Sequence, residues 1–439
     1  MNDFRGKRIT VMGLGLLGRG IGDVRFLASQ GAILTVTDLK TKEALAPALA
    51  ELKKLKDITY VLGEHRLEDF RDKDMIIKSA GVPLDSPYIE EARKEGIPIE
   101  MSTSLFARIT PATIIGITGT RGKSTVTHLL YEILKEAYKG KKQKVYLGGN
   151  VKGVSTLELL PVAKKGDMVV LELDSWQLQG FGEAKISPHV SIFTTFMSDH
   201  LNYYKNDTKQ YFTDKSYIYR FQKKGDILVA GKQMASLIRN RPDKIIVDEN
   251  TLPVDWKLKM PGIHNRYNTA LAVTAALALG VKKEVIKSVA EKFKGVPGRL
   301  ELVRTVSGVS FYNDTTATTP EATIAALEAL GIDHAKHIVL IMGGADKALD
   351  MSELPAVIKK YVKAVVLLPG TGTDRIISEK VFQRLDPVCV ESLPDALHSA
   401  RIYAAPDDIV LFSPAFASFG LFKNEFDRGE QFNTLCKSI

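Results

Sequence analysis

Short apolar runs separated by amphipathic stretches recur along this chain, the rhythm of strands alternating with helices. In the first hundred residues, runs at 8–12, 32–37 and 75–77 predict strands, and stretches 20–30 and 43–55 carry a helical period. That βαβ order predicts a parallel, doubly wound sheet. A proline break at Thr110-Pro111-Ala112 precedes a new buried-strand pattern at 113–117, and the rhythm resumes through strands 168–173 and 190–194. An alanine-rich helix is predicted over 268–279, and Gly295-Val296-Pro297-Gly298 marks a second break. Strands at 309–312, 337–342, 364–368 and 409–412 follow it. The expectation is an α/β protein of three domains: Rossmann-like over 1–108, a central P-loop ATPase-like parallel sheet over 109–297, and Rossmann-like again over 298–439.

Composition narrows this picture only slightly. At 439 residues, with 45% apolar and 25% charged residues, the chain is an ordinary multidomain globular protein. It has no apolar run of about eighteen residues, so no membrane insertion is expected. The first eight residues lack the apolar core of a leader, and Cys389 and Cys436 are its two cysteines. A cytoplasmic location is therefore expected. The net charge of +9 suits anionic ligands. The basic run at 139–144 reads as a solvated loop with no nucleic-acid motif beside it, and no nucleic acid is expected as partner.

Two glycine motifs carry the candidate chemistry. Gly13-Leu14-Gly15-Leu16-Leu17-Gly18 lies between a strand and a helix, with Asp38 twenty residues past Gly18. It is the dinucleotide fingerprint, in which backbone approaches a pyrophosphate at a helix N-terminus; it suits NAD or any other diphosphate ligand. The second motif is Gly119-Thr120-Arg121-Gly122-Lys123-Ser124-Thr125, again between strand and helix. Its N–H groups would cradle phosphates, Lys123 would offer a charge, and Ser124 would bind Mg²⁺. From Gly119 this loop is two residues shorter than the usual P-loop spacing. Glu172 and His200 close neighbouring strand patterns, where a hard cation bridging phosphates would sit. Asn265 and Asn268, three apart, would either hydrogen-bond a base or ribose or cap a helix. Spacing alone makes Lys215 a surface lysine on a helix.

The motifs TGTRGKST (118–125), LGGN (147–150), LELDSWQL (171–178), SDH (198–200), HNRYN (264–268), GVPGRLE (295–301), NDTTATTPEAT (313–323), GGADK (343–347) and SPAFASFGLFKNEFDRG (413–429) resemble the Mur ligase family in order and spacing. The glycine motif with Val36-Thr37-Asp38 and the C-terminal pattern look most like its D-glutamate-adding branch. The resemblance implies an ATP-dependent ligase that joins D-glutamate to UDP-N-acetylmuramoyl-L-alanine through an acyl phosphate, as a monomer. It implies two Mg²⁺ ions, held by Ser124, Glu172, His200 and a carbamylated Lys215, with Lys123, His200 and Lys215 catalytic. It further assigns Asn265, Asn268, Arg299 and Asp314 to adenine and ribose. Gly15, Leu16, Leu17, Asp38 and Asn150 fall to the UDP-sugar, and Thr318, Lys347, Ser418 and Phe419 to the incoming amino acid.

Four positions depart from the family pattern. Thr316 stands where a lysine is usual, Asp174 and Trp176 replace Ser and Phe, and Ala80 replaces a turn proline. Other readings stand beside the ligase: a nicotinamide-dependent dehydrogenase resting on the first glycine motif, a nucleotide-regulated binding protein, and a ligase of the same superfamily for another amino acid.

Overall fold

The computed structural model describes residues 4–15, 18–151, 153–197, 199, 203–241, 243–331, 336–379 and 386–439. Contacts gather the chain into two compact units, Met1–Thr251 with Asn268–Ala290, and Leu252–Tyr267 with Glu291–Ile439. The first unit contains two sheets and the second contains one.

The first sheet comprises β1 (Arg8–Met12), β2 (Ile33–Asp38), β3 (Ile58–Leu62), β4 (Met75–Lys78) and β5 (Ile99–Glu100). All neighbours are parallel, in the order β3-β2-β1-β4-β5. The order reverses between β1 and β4, so the crevice for a ligand opens at their C-terminal ends. There the Ser79 hydroxyl donates to the Gly13 carbonyl at 2.7 Å. Beyond Ser79 the chain turns, with Val82 N–H bonded to Ser79 O at 3.1 Å. The Lys78 ammonium reaches under this turn to the carbonyls of Val82, at 2.8 Å, and Ser79, at 3.3 Å. A buried lysine thus fastens the turn in which Ala80 takes the place of the family's proline. Burial pulls the Lys78 pKa down to about 7, against the nearby carboxylate of Asp174.

The second sheet holds β6 (Thr113–Thr118), β7 (Val145–Gly149), β8 (Met168–Glu172), β9 (Val190–Phe193), β10 (Ile227–Gly231) and β11 (Ile245–Val247). It too is parallel, ordered β11-β10-β9-β6-β8-β7. Its central strands β6, β8 and β9 are buried almost throughout, as their continuous apolar runs require of strands covered on both faces. The third sheet comprises β12 (Glu301–Val306), β13 (Val309–Asn313), β14 (Ile338–Gly343), β15 (Val362–Leu368), β16 (Val388–Cys389) and β17 (Ile409–Phe412), ordered β12-β13-β17-β14-β15-β16. Here β12 runs antiparallel to β13 and the others are parallel.

The helix expected over 43–55 shrinks to Ala46–Leu52. Pro47 lacks a backbone N–H and is tolerated in the first turn of a helix, so the helix starts beside it. The alanine-rich helix starts earlier than expected and spans Ile263–Ala278, following Gly262 in a left-handed conformation. No helix among the described residues is long and apolar enough to cross a membrane.

Candidate active site

β6 delivers the chain into Gly119–Gly122, from which the helix Lys123–Ala137 departs. Gly119 (φ +147°) and Gly122 (φ +85°) occupy conformations that side chains avoid. A Cβ on Gly119 would collide with the Thr194 hydroxyl, and one on Gly122 with the Asn268 amide. The short loop is braced by the segment after β9: Thr120 N–H donates to Thr195 O (2.7 Å) and Arg121 N–H to Thr195 Oγ1 (3.0 Å). The Arg121 guanidinium meets Asp199 at 3.1 Å. Lys123 Nζ stands over the loop, donating to the carbonyls of Gly119 (3.0 Å) and Thr120 (3.2 Å). Ser124 and Thr125 are buried in the first helical turn. Gly119→Ala should cost about 1–3 kcal/mol through backbone strain and displacement of Thr194; urea unfolding of the variant against the parent measures it.

Lys215 overturns its reading as a surface residue. It lies on the helix Thr208–Arg220, is 2% exposed, and donates from Nζ to the Gly119 carbonyl at 2.9 Å. Aromatic rings form the wall behind it. Tyr211 lies 4.9 Å from Nζ, and ring contacts continue from Tyr211 through Tyr204 and Tyr203 to Trp176. Trp176, which replaces the family's Phe, is thus one end of that wall. Desolvation first, and then the charge of Lys123, hold the Lys215 pKa well below that of an ordinary lysine, against Asp174 and Asp199. On the same helix, Asp214 accepts hydrogen bonds from Gln179 (2.7 Å), Gln210 (2.7 Å) and Tyr204 (3.0 Å). The bond from Gln179 ties the Lys215 helix to the helix Ser175–Glu183. Asp174 caps that second helix through Gln177 N–H at 2.8 Å, a task the family's Ser at this position is equally suited to.

Glu172 is a buried carboxylate at the end of β8, beside β6. Asn150, which follows β7, points Nδ2 at Glu172 Oε1 (3.4 Å), and its Oδ1 accepts from Arg19 Nη1 (2.5 Å). The donor set fits a nucleotide with a hard cation: a glycine loop with no room for a Cβ at 119 or 122, an ammonium, a buried hydroxyl and a buried carboxylate. Among the described residues no group of three or more His, Cys, Asp or Glu side chains forms a metal cluster. His200, Leu16 and Leu17 lie outside the described residues. Asp38 is occupied by the glycine loop itself, accepting from Gly15 N–H (3.0 Å) and Lys40 N–H (2.9 Å). Its carboxylate thereby braces the loop.

In the second unit, Asn265 lies within the helix rather than at its N-cap and donates to Pro261 O at 2.8 Å. Asn268 is also inside that helix, so the capping alternative fails for both. Asp314 follows β13 and accepts from Leu300 N–H (3.0 Å) and Ser413 Oγ (2.9 Å). Burial raises its pKa to about 7, partly offset by those bonds and by Arg299. The unfolded chain therefore ionises Asp314 before the native one does, and the stability this carboxyl contributes is lost as pH rises from about 4 through 7. Asp314→Asn should gain on the order of 2–4 kcal/mol over the parent at pH 8 and nothing at pH 4. Urea titrations at the two pH values provide the comparison.

Lys347 Nζ meets Thr318 Oγ1 at 3.0 Å, and the Lys347 loop pairs with the Ser418 loop through the two hydrogen bonds joining Ala345 and Ala417. Three of the expected amino-acid contacts thus converge; the Phe419 ring is 70% exposed. Arg428, fully buried, was given no role from sequence, although it belongs to the last motif. Its guanidinium donates to Thr315 Oγ1, Thr315 O and Phe416 O, and so joins the segment after β13 to the segment leading to Ser418. Desolvation lowers its pKa to about 10. Thr316, in place of the family's lysine, donates to Gly298 O at 3.0 Å.

These features define a member of a known group of enzymes: the chain belongs to the Mur ligase family. Its residues 7–100 match the MurD-like N-terminal domain, 117–247 the Mur ligase middle domain and 298–416 the glutamate ligase domain. A UDP-N-acetylmuramoylalanine–D-glutamate ligase from Roseiflexus sp. is 39% identical, with 99% of both chains covered. One from Borreliella burgdorferi is 35% identical over 100% of this chain and 99% of its own. Among solved structures, the UDP-N-acetylmuramate–alanine ligase of Thermotoga maritima shares the fold with a TM-score of 0.64 at 20% identity, covering 98% of this chain and 99% of that one. The MurF ligase of the same organism, in complex with ADP, gives 0.58 at 17%, covering 100% and 97%.

Proposed function

We propose that this chain is an ATP-dependent, ADP-forming ligase that joins D-glutamate to UDP-N-acetylmuramoyl-L-alanine in peptidoglycan precursor synthesis. The observation that carries the proposal is the buried Lys215 amine on the carbonyl of Gly119, within the phosphate loop of a chain that matches D-glutamate ligases end to end. ATP supplies the phosphoryl group that activates the terminal carboxylate as an acyl phosphate, and the D-glutamate amine then displaces phosphate from the acyl carbon.

The residues have the following work. The N–H groups of 119–125 and Lys123 hold the phosphates and offset the repulsion between triphosphate and carboxylate. Ser124, Glu172, His200 and Lys215 would hold two magnesium ions, which neutralise developing phosphate charge. Lys215, whose burial favours the neutral amine, adds to CO₂ through its nitrogen, releases a proton and becomes a carbamate, an oxygen ligand in place of an amine. Asn265, Asn268, Arg299 and Asp314 hold adenine and ribose. Gly15, Leu16 and Leu17, with Asp38 bracing their loop, hold the uridine diphosphate, and Asn150 the sugar side. Thr318, Lys347, Ser418 and Phe419 hold D-glutamate. Domain limits of 1–108, 109–297 and 298–439, a monomeric state and a cytoplasmic location complete the proposal.

Phosphate release across a panel of acceptors and amino acids tests it. Turnover that needs both UDP-N-acetylmuramoyl-L-alanine and D-glutamate is expected. Turnover with UDP-N-acetylmuramate and L-alanine instead would overturn it.

A further inference from the structure

We infer that Arg19 is a positioning residue: it locks the Asn150 amide toward Glu172 and so couples the glycine-loop helix of the first sheet to the carboxylate beside the phosphate loop. The inference rests on the roles proposed above for Asn150 and Glu172. Arg19 opens the helix Arg19–Ser29, directly after Gly18 of the first glycine motif. A guanidinium carries donors alone, so the amide end that meets its Nη1 at 2.5 Å has to be Oδ1. Nδ2 is thereby turned to Glu172 Oε1, 3.4 Å away. The flipped amide would set its oxygen against a carboxylate and its NH₂ against a guanidinium, two repulsive contacts in place of two attractive ones. Each end of the amide keeps one further hydrogen-bonding position for substrate.

The helix that carries Arg19 is keyed to the segment just beyond Asn150. Gly22 approaches so closely that a Cβ there would strike Ser155 and Glu158. Asp23 accepts from Ser155 Oγ at 2.7 Å, and Arg25 pairs with Glu158 at 3.0 Å. Residues 19, 22 and 23 share one helical face, so Arg19 stands at the end of a docked surface and is held in register with Asn150. The helix that follows Gly18 is thus tied through Arg19 and Asn150 to Glu172.

The test compares Arg19→Leu, Asn150→Ala, their combination and Arg19→Lys in the full chain. Three quantities are read: UDP-N-acetylmuramoyl-L-alanine affinity by calorimetry without ATP, the Mg²⁺ concentration giving half-maximal rate, and urea stability. Arg19→Leu should weaken the affinity and raise the Mg²⁺ requirement by about tenfold each, as expected when an oriented, charge-assisted bond is lost. At saturating Mg²⁺ kcat should change little, and the fold should persist because Arg19 is only half-buried. The combined variant should be no weaker than Asn150→Ala alone, since Arg19 acts through that amide. Arg19→Lys, which retains a donor, should recover most of the loss. Affinity and Mg²⁺ requirement of Arg19→Leu within twofold of the parent, or effects that simply multiply with Asn150→Ala, would overturn the inference. A parent chain that does not bind UDP-N-acetylmuramoyl-L-alanine would instead overturn the function on which it rests.

Discussion

Lys215→Ala is expected to lower turnover about a thousandfold, the loss typical when a group stabilising transition-state charge is removed. Short carboxylic acids such as acetate should restore part of the rate. The reason lies in the surroundings of the amine. Burial beside the Tyr211 ring strips Lys215 of water, and Lys123 adds repulsion, so the free amine is favoured over the ammonium far more than in an ordinary lysine. A free amine adds to CO₂; an ammonium does not. Acidification protonates the amine as pH falls through its depressed pKa, so activity should decline on the acid side and respond there to bicarbonate. In the alanine variant the lost ligand is an anionic oxygen, which acetate can replace and methylamine cannot. Equal responses to both additives, or to neither, would remove the carbamate from the mechanism.

Lys123→Ala should be comparably damaging, with kcat reduced about a hundred- to a thousandfold and binding of UDP-N-acetylmuramoyl-L-alanine retained. Its ammonium lies on the carbonyls of Gly119 and Thr120, at the mouth of the glycine cradle. A second consequence follows from its neighbour. After desolvation, the charge of Lys123 is the next cause that lowers the Lys215 pKa, so its removal lets that pKa rise part of the way back. Lys123→Ala should therefore carry less carbamate at neutral pH than the parent. Carbon-13 NMR of protein equilibrated with labelled bicarbonate measures this directly. Equal carbamate signals from the two proteins would show that desolvation alone sets the state of Lys215.

Features set by local rules were legible from sequence. The phosphate loop was readable because glycine, lysine and serine at short spacing between a strand and a helix leave few alternatives. The central strands were readable because burial on both faces demands continuous apolar runs. Lys215 was not: its amine is buried over Tyr211 and bonded to Gly119 O, and that carbonyl comes from a loop ninety-six residues earlier in the chain, brought to it only by the fold. Strands β3 and β5 escaped because β3 is partly exposed and β5 spans two residues. The capping alternative for Asn265 failed because the helix begins near Gly262, a glycine conformation that spacing does not reveal. Arg428 stood in a motif but carried no chemistry of its own. Its work is to bond the Thr315 and Phe416 carbonyls, and backbone oxygens leave no trace in a sequence. At two of the departures the side chain makes a local bond, Asp174 a helix cap to Gln177 N–H and Thr316 a bond to Gly298 O.

The Lys78 pin beneath the turn at Ser79–Val82 has a consequence for when that turn acquires its shape. A proline restricts the turn in the unfolded chain as well, so part of its ordering entropy is spent before folding begins. Lysine imposes no such restriction. It orders the turn only once β4 is buried and its ammonium has met the two carbonyls. The mouth of the first crevice is therefore rigid as a product of sheet assembly, and amide hydrogen exchange at Val82 should track the opening of the whole first sheet rather than a local fluctuation.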